Sequence, residues 1–216
     1  MRTISVTVGP LATAVADNIA ESQTPDAGAL TLNGALVSGG VAVLDTPRRV
    51  LITTAGNESG KTFAITGTNW SGNSISETVA GPNATTVASV LDYATVTSIT
   101  ISATAADAVV VGTNGVAGSA WVRLDEWASP AVAIQCVASG TVNYTVQQTL
   151  DDPNSPTNPV APSAVTWVAH PDTNLVGATG TVQGNYAFVP TYARVLLNSG
   201  TGSVTVQFSQ SGVVVR

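Results

Sequence analysis

The sequence predicts an all-β chain: two tandem antiparallel β-sandwich domains, of jelly-roll or immunoglobulin-like type, with an N-terminal arm. Three observations carry that expectation. Apolar and polar residues alternate with period two over many short runs, the pattern of a half-buried strand. Those runs are filled with Val, Thr, Ile, Ser and Ala. β-branched side chains pack well on a pleated surface and lose rotamer freedom in a helix. Between the runs stand turn formers, including many of the 20 Gly and 11 Pro in 216 residues.

Taken in order, Met1-Arg2-Thr3-Ile4-Ser5-Val6-Thr7-Val8 alternates from its start. It has no continuous apolar segment of the kind a secretion signal needs, so it reads as a strand. Leu11 to Gln23 has a weak helical pattern and reads equally well as an extended arm. Four hairpin-like units stand out. Val50 and Ile52 lead through Ala55 to Gly60 into Phe63 and Ile65. Ile99 and Ile101 lead through Ala105-Ala106-Asp107 into Val109 and Val111. Val132, Ile134 and Cys136 lead through Ala138-Ser139-Gly140 into Val142, Tyr144 and Val146. Val195 and Leu197 lead through Ser199-Gly200-Thr201-Gly202 into Val204, Val206 and Phe208. Asn33-Gly34 and Asn114-Gly115 supply residues that tolerate positive φ in tight turns.

Asn114 to Ser119 is the best candidate boundary. It places the arm and first sandwich at residues 1–115 and the second sandwich at 116–216, with a single larger sandwich as the alternative. A true immunoglobulin domain wants paired cysteines around a core tryptophan, and the chain has one cysteine. The second half carries a Pro-rich loop at 150–163. Pro153, Pro156, Pro159 and Pro162 recur every third residue there. That is the residue count per turn of polyproline II, so the prolines would share one side of a rod about 28 Å long. The loop reads as a rigid exposed segment or as a docking element that reaches a neighbouring subunit.

Charged residues are 9% of the chain and the net charge is −6. An ordinary soluble domain has about 25% charged residues. With 44% hydrophobic residues, the chain is not a charged disordered tail. Lys61 is the only lysine, beside six arginines, which argues against nucleic-acid partners. No run approaches the roughly 18 apolar residues of a membrane-spanning helix. Asn57, Asn69, Asn83 and Asn143 begin glycosylation-type tripeptides, read as chance in an Asn/Thr/Ser-rich chain without a secretion signal.

Several motifs resemble chemistry without its context. Ala55 to Thr62 fits a relaxed phosphate-binding loop ending in Gly60-Lys61-Thr62, but such a loop must open a helix, and Phe63 to Asn69 alternates like a strand. His170, the only histidine, sits in a turn and reads as a surface residue. Cys136 shares a face with Val132 and Ile134 and reads as a small core residue. Asp151, Asp152 and Asn154 could offer oxygens to a cation, but their spacing fits no EF-hand. No metal, cofactor or catalytic residue is therefore expected. Trp70, Trp121, Trp127 and Trp167 are candidates for sugar stacking, and Trp70 stands at an apparent hairpin tip. The interaction candidates are Trp70, Pro153, Pro156, Pro159 and Pro162.

Several segments carry a resemblance. They include Asp45-Thr46-Pro47-Arg48-Arg49-Val50, Ala55 to Phe63, Ser76 to Asn83, Gly140 to Gln147, Asp151-Asp152-Pro153, Gly184 to Phe188 and Asn198 to Gly202. Together they resemble small β-rich virion structural proteins of tailed bacteriophages, of neck, tail-fibre or decoration type. The resemblance implies assembly into a particle and brings no catalytic residues. The expected partners are copies of the chain and other virion proteins (portal, adaptor, tail or capsid), without nucleic acid or membrane. The expected location is the virion, after assembly in the host cytoplasm. A neck or tail-fibre subunit is the first expectation. A capsid decoration protein, or a carbohydrate- or receptor-binding module on a host surface glycan, is the alternative. Uncharged Thr, Ser, Ala and Val on outward strand positions agree with a surface meant to be covered.

Overall fold

The computed structural model describes residues 2–125 and 131–210. The chain is all-β with large antiparallel sheets. In order, the strands are β1 (Arg2–Val8), β2 (Ala20–Gln23), β3 (Gly28–Ala29), β4 (Val37–Ser38), β5 (Val41–Thr54), β6 (Thr62–Thr68), β7 (Ser74–Ala80), β8 (Thr86–Ala88) and β9 (Tyr93–Ile101). They continue as β10 (Val109–Gly118), β11 (Val122–Arg123), β12 (Val132–Ser139), β13 (Val142–Thr149), β14 (Val168–Ala169), β15 (Val182–Tyr186), β16 (Tyr192–Gly200) and β17 (Ser203–Gln210). Short 3-10 turns occupy Pro162–Ala164 and Thr173–Leu175. Among the described residues no helix is long and apolar enough to cross a membrane.

Two compact units divide the chain. The first joins Met1–Leu11 to Val116–Arg216. Its four-stranded sheet runs β1-β17-β12-β15, all antiparallel. Its other strands include β14, β13 and β16 in sequence, with β11 and the end of β10 also paired to β16. Alternation explains the core. Val132, Ile134 and Cys136 of β12, with Val204, Val206 and Phe208 of β17, meet Val142, Tyr144 and Val146 of β13 and Val195 and Leu197 of β16 in one buried cluster.

The second unit is Ala12–Gly115. The long β5 pairs with β4, β8 and β9, and β9 lies between β5 and β6. β6 and β7 form a hairpin from Thr62↔Ala80 to Thr68↔Ser74. Val50, Ile52, Phe63, Ile65, Ile99, Ile101, Val109 and Val111 all enter its core.

The structure corrects the chain's expected connectivity. None of the four expected hairpins is a hydrogen-bonded pair. β9 stands between β5 and β6, β5 stands between β9 and β10, and β12–β13 and β16–β17 each cross from one sheet to another. The predicted faces still match, because a hairpin and a sheet-to-sheet arch both aim the apolar residues of their two strands at one core. Glycine permits the crossing from β16 to β17. Gly200 has φ +118°, and a Cβ there would lie 2.2 Å from the Thr141 carbonyl oxygen.

Other expectations change as well. Residues 2–8 do not belong with the first half of the chain. β1 registers along β17 from Arg2↔Gln210 to Val8↔Val204, because a seven-residue alternating strand is satisfied by any matching edge, however distant in sequence. Leu11 to Gln23 is not helical, nor a simple extended arm: it runs irregularly through a turn at Ala16 and Asp17, then enters β2. Asn114-Gly115 is no turn and lies inside β10. Gly34 is needed for close approach, not for positive φ: a Cβ there would sit 2.3 Å from the Asn18 carbonyl carbon.

Candidate protein interface

The outer face of the four-stranded sheet is built from the residues that alternate with its core. Register brings them into cross-strand rows. Thr3, Ser209, Ala133 and Asn185 form one row, and Ser5, Gln207, Gln135 and Gln183 the next. Thr7, Thr205 and Val137 form the third. Every side chain in these rows is uncharged, and all are exposed or half-buried. Within the face, the Thr7 and Thr205 hydroxyls lie 2.8 Å apart and Thr3 Oγ1 donates to Ser209 Oγ at 3.4 Å. A surface of amides, hydroxyls and methyl groups loses less on leaving water than a charged one. Short Thr and Ser side chains also lose little rotamer entropy when covered. Composition shows that charges are scarce; only the register shows that one face of four strands has none.

The Pro-rich loop is not the expected extended rod. Val160 N–H and Ser155 N–H both donate to the Asp152 carbonyl, so the chain doubles back within the loop. Asp152 Oδ1 accepts from Asn154 N–H at 2.8 Å, forming an Asx turn, and Asp151 Oδ2 accepts from Thr166 N–H at 2.7 Å. The two aspartates considered as cation ligands thus bind main-chain donors. Pro156 and Pro159 remain exposed, Pro153 is half-buried, and Pro162 begins a 3-10 turn. Side-chain contacts pin the loop. Arg123 Nη2 lies 2.9 Å from Asp152 Oδ2, and Asn154 Nδ2 donates to Tyr192 Oη at 2.9 Å.

The tryptophans part ways. Trp121 and Trp167 pack edge to face at 5.0 Å, and Trp121 meets Tyr192 at 6.0 Å. The Arg194 guanidinium stands 4.3 Å from the Trp167 ring centre while its Nε donates to Gln147 Oε1. Rings at 71° to each other offer no flat two-ring platform. Trp70 does sit at the β6–β7 hairpin tip and is 38% exposed. The turn beneath it is held by Asn69 Oδ1, which accepts from Ser71 N–H, Ser71 Oγ–H and Asn73 N–H. Trp127 lies outside the described residues.

The residues with chemical potential are engaged structurally. Lys61 pairs with Glu58, and β6 follows where a phosphate-binding loop would need a helix. Glu58 is fully buried, and its Oε1 accepts from Ala106 N–H at 2.8 Å and Asp107 N–H at 3.1 Å. Burial alone would raise its pKa; the Lys61 ammonium and those two N–H groups outweigh it and hold the carboxyl below its ordinary value.

His170 is not at the surface as its turn-like sequence suggests. It is 3% exposed, its ring 4.6 Å from Tyr186. Its main-chain N–H donates to the Val146 carbonyl, which draws the residue in beside β13, and its ring Nδ1 accepts from Asp172 N–H at 3.0 Å. Burial lowers its pKa, and nearby Asp172 offsets only part of that. Cys136 lies in the core, where burial pushes its thiol up to about 11, so it stays protonated at neutral pH. Among the described residues no three His, Cys, Asp or Glu side chains gather as a metal site would require.

Sequence reasoning missed Arg48, which is 1% exposed. Its Nη1 donates to the Ala12 carbonyl at 2.9 Å and to Asp45 Oδ1 at 3.0 Å, and its Nε and Nη2 donate to the Asn114 carbonyl. Asp45 Oδ2 takes the Ala12 N–H at 2.8 Å. Parity was the available signal: Arg48 shares the inward register of Val50 and Ile52. No protein-family model matches the chain, and no curated protein matches it in sequence.

Proposed function

We propose that this chain is an architectural subunit of a tailed-phage virion, a neck or tail-fibre component that works by protein–protein contact. The observation that carries the reading is the uncharged outer face of β1, β17, β12 and β15. A free soluble domain ordinarily scatters charge over such a face. A subunit meant to be covered gains by omitting it, because neutral groups cost less to desolvate. The resemblance of the quoted segments to phage structural proteins supports the same reading. So does the engagement of Lys61, Glu58, His170 and Cys136 in turns and cores. In this proposal each unit is a β-sandwich domain, no reaction is catalysed, and the partners are copies of the chain and neighbouring virion proteins.

Electron cryomicroscopy of intact particles tests it. Density for the chain at the neck or tail fibre, with the four-stranded face covered, is the expected result. Absence of the chain from purified particles refutes the reading. Copy number separates the decoration alternative, which predicts the chain spread over the capsid shell. Exposed Trp70 favours a second reading, in which the chain binds a host surface glycan. Trp70→Ala then abolishes retention on host polysaccharide, and lack of retention by the unaltered protein removes that reading.

A further inference from the structure

We propose that the outer edge of β1 pairs with the β1 edge of a second copy, antiparallel about Ser5, joining two four-stranded sheets into one. This deepens the architectural reading by naming the surface and the partner.

β1 is the terminal strand of its sheet, paired on one side to β17 through all seven residues without a bulge. Among the described residues no strand pairs with its other side. Such an edge presents alternate N–H and C=O groups that template another strand. Natural monomers blunt it with Lys, Pro, a bulge or an inward charge. Thr3 to Val8 has none of these. The opposite edge, β15, is shorter and contains Gly184, which weakens a strand.

The strand is also close to self-complementary. Thr3-Ile4-Ser5-Val6-Thr7 reads as hydroxyl, β-branched apolar, hydroxyl, β-branched apolar, hydroxyl in both directions. Antiparallel pairing about Ser5 puts Thr3 opposite Thr7, Ile4 opposite Val6 and Ser5 opposite itself. Side chains directly opposite share a face, so hydroxyls meet on the outer face and aliphatic groups on the core side. Ile4 and Val6 are only half-buried in their own unit, whereas Val8 is 1% exposed. A second β1 supplies the missing cover.

Size sets the strength. Seven residues make about six to eight main-chain hydrogen bonds in an antiparallel ladder. A strand about 24 Å long in a layer about 10 Å thick covers roughly 500 Å² in total. A stable free dimer usually needs about 1,200 Å² or more. The contact is therefore weak in dilute solution and adds up where many copies are held together.

Cysteine cross-linking of the purified full chain tests the register. Thr3, Ser5 and Thr7 are exposed, so substitutions there leave the fold intact, and buried Cys136 stays silent. In the proposed pair, position 3 meets position 7, while two copies of position 3 stand about 14 Å apart. A mixture of Thr3→Cys and Thr7→Cys proteins, mildly oxidised at high concentration, is expected to form the mixed disulfide dimer at least tenfold faster than either alone. Ser5→Glu, which sets two carboxylates face to face, abolishes dimer formation. Gln207→Glu, on the neighbouring strand of the same sheet face, leaves it. Equal yields from all cysteine pairs, or no dimer, overturn the proposal. Equal loss with Gln207→Glu shows face-to-face stacking and also overturns it. Failure here leaves the architectural reading standing, since that is decided by imaging particles.

Discussion

Removal of Arg48 is expected to destabilise the unit of residues 12–115 more than any surface change. The side chain is 2% exposed and holds the carbonyls of Ala12 and Asn114, which stand at the two ends of that unit. Arg48→Met fills a similar volume but leaves both carbonyls without this donor, at about 1–3 kcal/mol each. It also strips Asp45 of its ion-pair partner, at a smaller cost because Asp45 is 30% exposed and keeps the Ala12 N–H. The sum is about 4 kcal/mol, within the range for breaking a buried pair from one side. For a domain of about 100 residues that is a fall in melting temperature of roughly 20 °C. Arg48→Lys keeps the charge but cannot reach three acceptors in one plane, so it should lose about half as much. Scanning calorimetry of the wild type, Arg48→Met, Arg48→Lys and Asp45→Ala checks the series. Arg48→Met melting within about 5 °C of wild type would falsify the clamp, as would a larger loss from Asp45→Ala than from Arg48→Met.

Glu58→Ala should cost about 3 kcal/mol, because two main-chain donors and Lys61 lose their acceptor. Glu58→Gln retains an acceptor and should cost less; urea melts giving equal values for both would contradict this. The depressed folded pKa of Glu58 makes its contribution present above the ordinary value of 4.5 and lost as pH falls through the folded value. His170 acts in a different window. Its folded pKa lies below 6.5, so the unfolded chain binds the proton first, and stability is full above 6.5 and falls as pH drops towards the folded value. Urea midpoints between pH 7.5 and 5.5 should decline in the wild type and stay flat in His170→Gln; a parallel decline in both would assign the effect elsewhere. Gly200→Ala should cost about 3 kcal/mol, from positive φ and a clash with the Thr141 carbonyl, read as a lowered melting temperature. An unchanged melting curve would show that the crossing can relax.

Much of the local structure was legible. Alternation located the long strands and their buried residues, because a pleated backbone sends successive side chains to opposite faces whatever it pairs with. Even Arg48 could have been placed inward by parity. The Pro-rich loop shows the limit of local reading. A proline every third residue suits polyproline II, yet Asp152 gathers the loop around its own carbonyl and carboxylate. His170 shows the same limit, since a turn-like context does not reveal that β13 and Tyr186 will enclose the ring.

By itself the sequence determined an all-β chain, the inward and outward face of its long strands, and a surface poor in charge. Those properties depend on residue type and spacing along one strand. Only the tertiary structure decided which strands are neighbours. Pairing is a long-range choice among edges of similar chemistry, and hairpin and arch bury the same residues. That choice carried β1 to β17 across nearly the whole chain, and in doing so assembled the uncharged face and left the self-complementary edge at its border.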